Sequence, residues 1–191
     1  MEKEPPGRVR YLTDEEFERL YNACPIWLQP IVLVARHTGM RKENILSLKW
    51  EQIDLTRRTI LIEKTKNNER LVIPLNDTLM ELFRRLSKVR HIRSSYVFCK
   101  HNGKRYMGLK TSFKKALNKA GITNFRFHDL RHCFASSLVQ KGVDIYQVQK
   151  LLGHKTERMT QRYSHLAPEN LMDAVLKLDR KESEINTKIA Q

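Results

Sequence analysis

Apolar residues recur at helical spacing along most of this chain and alternate in only one stretch. Thr13 followed by Glu16 forms a capping box, and the helix it opens buries Phe17, Leu20 and Tyr21. Pro25 interrupts, and a near-continuous apolar run from about Ile26 to His37 predicts a central core helix stopping at Gly39. Met40 and Arg41 lead into a third helix through Ile45, Leu46 and Leu48 to Trp50. The period then changes: TILIE and RLVIP, between Thr59 and Pro74, are β-branched runs separated by KTKNNE, which predicts a hairpin with Lys66 at its tip. Asn76 caps a helix whose stripe is Leu79, Leu82, Phe83 and Leu86. A short extended piece at Tyr96 to Phe98 follows, then a helix carrying Phe113, Leu117 and Ala120 as far as Gly121. Another runs from His128 to Gln140 with Leu130, Phe134 and Leu138, closing at Gly142. Asp144 caps the next, through Val148, Leu151 and Leu152. A last helix, from about Pro168 to Leu178, shows Leu171, Val175 and Leu178 on one face.

These elements predict a mainly α domain with a small antiparallel β-sheet (α+β), spanning residues 13–180. Residues 1–12, with Pro5, Pro6 and Gly7, read as a linker or arm, and 181–191 as a flexible polar tail. A length of 191 residues suits one such domain.

Charge changes the picture most. The formal net charge is +15, and from Leu82 to His128 there are 13 Lys or Arg and no Asp or Glu. A field of one sign repels itself, and a polyanionic partner, nucleic acid, explains it. Arg105, Lys110 and Lys114 in this zone are candidate DNA contacts. An anionic membrane surface fits less well, since no amphipathic helix has a broad aromatic face. No apolar run approaches the ~18–20 residues of a membrane span. MEKEPPGRVR has no signal-peptide character, and Cys24, Cys99 and Cys133 form neither a disulfide framework nor a metal pattern. A cytoplasmic location, in a reducing compartment, is the simplest expectation.

The chemistry-bearing residues lie in four places. In LLGHKTERMTQRYSH, residues 151 to 165, His154 stands nine positions ahead of Tyr163. Gly153 can end one helix there and Thr156 can cap the next, so phenol and imidazole share a neighbourhood without either needing a core position. A tyrosine after a helix is, blandly, a surface residue. His128, Arg131 and His132 are helical neighbours. The spacing of His128 and His132 is also that of a zinc-protease helix, with Asp129 at the base position. Against zinc stand the fixed cation of Arg131 and the lack of a third ligand at a recognisable spacing. A histidine satisfied within the core fits His132 better than His128. Arg41, at a helix start, opposes the dipole and is either a surface arginine or one directed at a phosphate. Lys66 is either a solvated turn lysine or a mobile arm over a ligand.

Together these residues resemble one known pattern, the catalytic domain of the tyrosine recombinases, the family of phage integrases and Xer-type proteins. The resemblance rests on TGMR at 38–41, TK at 65–66, HDLRHCFAS at 128–136, and LLGH with TQRYSH between 151 and 165, in the family's order. It implies that Tyr163 is the nucleophile, Arg41 and Arg131 clamp the phosphate, and Lys66 protonates the leaving 5′-hydroxyl. It implies that His128 assists proton transfer from Tyr163. His154, at a position that is His in most members and Trp in some, would hydrogen-bond the phosphate. The expected activity is site-specific DNA cleavage and rejoining through a 3′-phosphotyrosine, with no metal and no other cofactor. Type IB topoisomerase-like relaxation shares the chemistry, and a non-catalytic DNA-binding module is the alternative outside enzymes. Expected partners are double-stranded DNA and further protomers on it, in a tetrameric synapse linked by exchange of the C-terminal helix. The helical DNA-binding domain that usually precedes the catalytic one is absent from this stretch. Two departures from the family pattern are Glu43 and Asn44, where a small residue and then an acid are usual, and Cys133 in place of a threonine.

Overall fold

The computed structural model describes residues 10–63 and 70–167. Lys66 at the hairpin tip and the helix expected from Pro168 to Leu178 lie outside the described residues.

Helix α1 (Asp14–Ala23) opens with the expected capping box: Thr13 Oγ1 accepts from Glu16 N and Glu16 accepts from Thr13 N. The arm joins the domain sooner than its prolines imply. Leu12 is buried and its N–H meets Cys133 Sγ at 3.2 Å, while Arg10 pairs with Glu16 at 2.6 Å. Helix α2 (Gln29–Thr38) is the central element, with Ile31, Val32, Val34 and Ala35 buried. It begins three residues later than the apolar run predicts. Ile26 is 86% exposed in the turn after Pro25, and Pro30 sits in the first helical turn, where its missing N–H leaves no bond unmade.

Helix α3 (Lys42–Leu46) is shorter than expected, ending before Leu48. Tertiary pairing takes over there: Val97 N–H bonds Leu48 O and Trp50 N–H bonds Ser95 O, so residues 48–50 run beside the extended piece at 95–97. A three-stranded antiparallel sheet follows, in the order β1 (Ile53–Asp54), β2 (Thr59–Ile62), β3 (Leu71–Pro74). Ile60 faces Ile73 and Leu61 faces Val72 across β2 and β3, so the alternation sends Ile60, Ile62 and Ile73 inward. Helix α4 (Asp77–Lys88) is capped by Asn76, and α5 (Lys110–Lys119) buries Phe113, Ala116 and Leu117.

Helix α6 (Asp129–Gln140) packs extensively on α2. Helix α7 (Ile145–Leu152), capped by Asp144, turns back on α6, and the single-turn α8 (Arg158–Gln161) closes over α7. The apolar interior falls into two parts. The larger surrounds α2; the smaller comprises Ala135, Val139, Val148, Leu152 and Tyr163, backed by Phe134 and Leu138. None of the described helices is long and apolar enough to cross a membrane.

Candidate active site

The site lies where α2, α6 and α7 converge, and the side chain that organises it is Arg131. Helices α2 and α7 each end at a glycine in the left-handed region, Gly39 (φ 62°) and Gly153 (φ 61°). Those two turns deliver carbonyls to one point. Arg131 Nη1 donates to Gly39 O and Nη2 to Leu152 O, both at 2.6 Å. A guanidinium has five N–H donors, so three remain for a ligand. Arg131 is only 6% exposed, and among the described residues it has no carboxylate partner. Burial, and then the nearby cation of Arg41, lowers its pKa to about 10. A buried cation held by two neutral carbonyls is incompletely compensated, which fits a site that receives an anion.

Gly39 has no room for a side chain. A Cβ there would stand 2.6 Å from Phe134 Cδ1 and 2.9 Å from Leu152 Cδ2. Gly39→Ala is expected to cost about 1–3 kcal/mol of stability through overpacking and to shift the carbonyl that holds Arg131. Urea denaturation checks the first effect; an unchanged midpoint would show that this turn adapts freely.

Arg41 occupies the N-cap position of α3, half-buried, and influences Arg131 and His154 electrostatically. His154 follows Gly153, and its Nδ1 meets the hydroxyl of buried Thr160 at 2.9 Å. Its Nε2 is therefore the nitrogen left for a ligand. Burial first, then Arg131 and Arg41, lowers the His154 pKa to about 4, so the ring is neutral near pH 7. A neutral imidazole contributes a hydrogen bond here and no charge.

Tyr163 takes a core position, which its place in the sequence did not require. It is 1% exposed, its ring embedded in the smaller apolar cluster. Its hydroxyl lies 2.5 Å from His132 Nδ1. Burial raises the phenol pKa, while Arg162 and Arg131 oppose that shift. His132 is thus the imidazole that meets the phenol, and a core histidine satisfied by unrelated groups is not what it is. His128 is exposed at the start of α6, and its ring packs edge-on against His132 with centroids 5.5 Å apart. Among the described residues no group of three or more His, Cys, Asp or Glu is placed to hold a metal.

The structure therefore brings together Arg41, His128, Arg131, His154 and Tyr163, and adds Thr160, which sequence reasoning missed, and His132, which it weighed only as a zinc ligand or a core histidine. His132 carried a visible signal in its place beside Arg131; Thr160 carried none. Thr156 does not cap α8 with its side chain, since that helix starts without a side-chain cap. Lys110 and Lys114 are exposed one turn apart on α5, and Arg105 is half-buried in a bridge with Cys99. Glu43 is exposed and pairs with Lys42 at 3.4 Å, and Asn44 lines a surface hollow of about 580 Å³ beside β2. Buried Cys133 accepts the Leu12 N–H, and burial pushes its thiol up to about 11.

A helical domain that sets a phenol, two guanidiniums and neutral imidazoles at the ends of its core helices has the fold of a tyrosine recombinase catalytic domain. The chain belongs to the phage integrase family, whose sequence model matches residues 10–170. The integrase of Salmonella phage P22 is 36% identical over 187 residues, covering 90% of this chain and 48% of that protein. The solved catalytic domain of bacteriophage HP1 integrase superposes with a TM-score of 0.71 at 27% identity, over 88% of this chain and 94% of that one. XerH site-specific recombinase, solved bound to a palindromic difH substrate as a post-cleavage complex, gives 0.70 at 25% identity, over 87% of this chain and 52% of XerH. The chain spans about half the length of the curated relatives it matches first.

Proposed function

We propose that this chain is the catalytic part of a site-specific DNA recombinase or integrase, cleaving and rejoining double-stranded DNA through a 3′-phosphotyrosine on Tyr163. The observation that carries this reading is the buried guanidinium of Arg131, with no carboxylate partner among the described residues, in the same cluster as the Tyr163 phenol. A scissile phosphate supplies the missing negative charge. As Tyr163 attacks, the non-bridging oxygens gain charge, and Arg131 and Arg41 offer fixed donors for it. His154 Nε2 is free to add a hydrogen bond. Lys66 is the proposed acid for the 5′-oxygen. The covalent intermediate preserves the phosphodiester bond energy, so rejoining needs no ATP. The exposed lysines of α5, Lys110 and Lys114, with Arg105, are the proposed backbone contacts; phosphate contacts of this kind position a protein without reading sequence. The C-terminal segment from Pro168 is the proposed link to neighbouring protomers on DNA.

A duplex carrying a nick beside the scissile phosphate tests this reading, because loss of the short 5′-hydroxyl fragment traps the adduct. A denaturation-resistant protein–DNA adduct is expected, at the same yield with and without EDTA. Binding with no adduct on any integrase-type site would leave a DNA-binding module. Dependence on a divalent ion would return the His128–His132 pair to consideration as ligands.

A further inference from the structure

The resemblance gives the proton of Tyr163 to His128, but the imidazole that meets the phenol oxygen is that of His132. Tyr163 must lose its hydroxyl hydrogen as it becomes an ester, and burial makes that loss harder, since it raises the phenol pKa. The group in contact with that oxygen is His132, whose Nδ1 is 2.5 Å from Tyr163 Oη. Several features fit this contact to proton transfer. His132 adjoins Arg131 on the first turn of α6, so one stretch of backbone fixes both the acceptor and the phosphate-binding cation. The ring is held on one side by Tyr163 and on another by the edge-on ring of His128, at an interplanar angle of 88°. The charged and titratable neighbours acting on it are His128, Asp129, Arg131 and Arg162, and only Asp129 favours the imidazolium. Burial first, and then His128, lowers its pKa, so Nδ1 offers a lone pair near pH 7. A phenol donating to Nδ1 leaves the ring hydrogen on Nε2.

We infer that His132 is the general base of strand cleavage, its Nδ1 taking the proton of Tyr163 as the phosphotyrosine bond forms. This rests on the recombinase reading proposed above. In the step, the Tyr163 O–H bond breaks and its proton passes to His132. Oη bonds to phosphorus, the P–O5′ bond breaks, and the 5′-oxygen is protonated by a separate acid. On rejoining, the 5′-hydroxyl gives its proton back to that separate acid as it attacks phosphorus, and the His132 imidazolium returns its proton to Oη as the tyrosyl ester opens. A second use of the same contact, holding the phenol away from DNA until release, predicts the opposite sign on mutation.

His132→Asn separates these uses, because the amide oxygen falls near the position of Nδ1 and accepts a hydrogen bond without taking up a proton. Single-turnover cleavage of the nicked duplex should fall about 10²- to 10⁴-fold, with DNA affinity unchanged. The defect should persist on a duplex whose bridging 5′-oxygen is sulfur, since a thiolate leaves without an acid. Cleavage at the normal rate or faster would overturn the inference. So would a slow variant restored by the sulfur substrate, which would make His132 a leaving-group acid. If His132→Asn fails to fold, the pH profile decides, using the sulfur substrate with the unaltered protein and with His128→Asn. Both should lose rate as pH falls through a pKa below the ordinary imidazole value, whereas a rate that rises on acidification, or stays flat until the fold itself is lost, would overturn the inference. Tyr163→Phe run in parallel keeps the two levels apart. An adduct formed by that variant sinks the recombinase reading; its absence beside a normal His132→Asn sinks only the general base.

Discussion

Tyr163→Phe is expected to form no covalent adduct with DNA while binding the same duplex within about twofold of the unaltered protein. The substitution removes the nucleophilic oxygen and no positive charge, and backbone affinity rests on phosphate neutralisation. The ring keeps its place among Ala135, Val139, Val148 and Leu152, so the cluster loses no apolar volume. The cost falls instead on His132, whose Nδ1 loses its only described partner. Leaving this half-buried acceptor unpaired costs up to roughly 1–3 kcal/mol, which a urea titration would detect. Gel retardation and denaturing electrophoresis on one set of samples test both parts. An adduct from the Phe variant would place the nucleophile elsewhere. A large fall in affinity would mean that the tyrosine serves binding rather than attack.

The parts of this arrangement that were legible in the sequence are those set by local rules. Thr13, Asn76 and Asp144 cap helices because a short oxygen-bearing side chain reaches the first free N–H groups, and each does so. Gly39 and Gly153 end helices because a left-handed residue is needed there, and the motifs TGMR and LLGH contain them for that reason. What the sequence concealed is set by contacts between distant segments. Helix α3 stops short because residues 95–97 capture the backbone of residues 48–50. The apolar run at Ile26 overstates α2 because composition does not record that the turn after Pro25 faces outward. The contact of His132 with Tyr163 spans 31 positions and depends on how α7 and α8 fold back on α6. Motif order could mark both residues as belonging to one region, but only the packing shows which histidine reaches the phenol.

Arg131→Lys should reduce single-turnover cleavage by about 10²- to 10³-fold, as expected for loss of one fixed donor to a developing anion. The guanidinium already spans two carbonyls at 2.6 Å, Gly39 O and Leu152 O, and still has donors for phosphate. A lysine ammonium is a compact point charge on a flexible stem, and it cannot hold both carbonyls and a non-bridging oxygen in one plane. The surroundings add a second effect with a definite sign. Burial, followed by the cation of Arg41, lowers the Arg131 pKa to about 10, where an arginine is still charged at neutral pH. A lysine starts from ~10.4 and meets the same disfavouring of charge. As pH rises through its depressed pKa, the lysine loses its proton and with it the remaining phosphate contact. The residual rate of the variant should therefore fall between pH 7 and pH 9, while the unaltered protein, its guanidinium still charged, shows no such loss. Cleavage rates of the two proteins across that range check the argument. A variant that cleaves near the normal rate, or one whose rate rises with pH in parallel with the unaltered protein, would show that Arg131 serves the fold alone. The unaltered carbonyl contacts of Arg131 would then be sufficient reason for its burial.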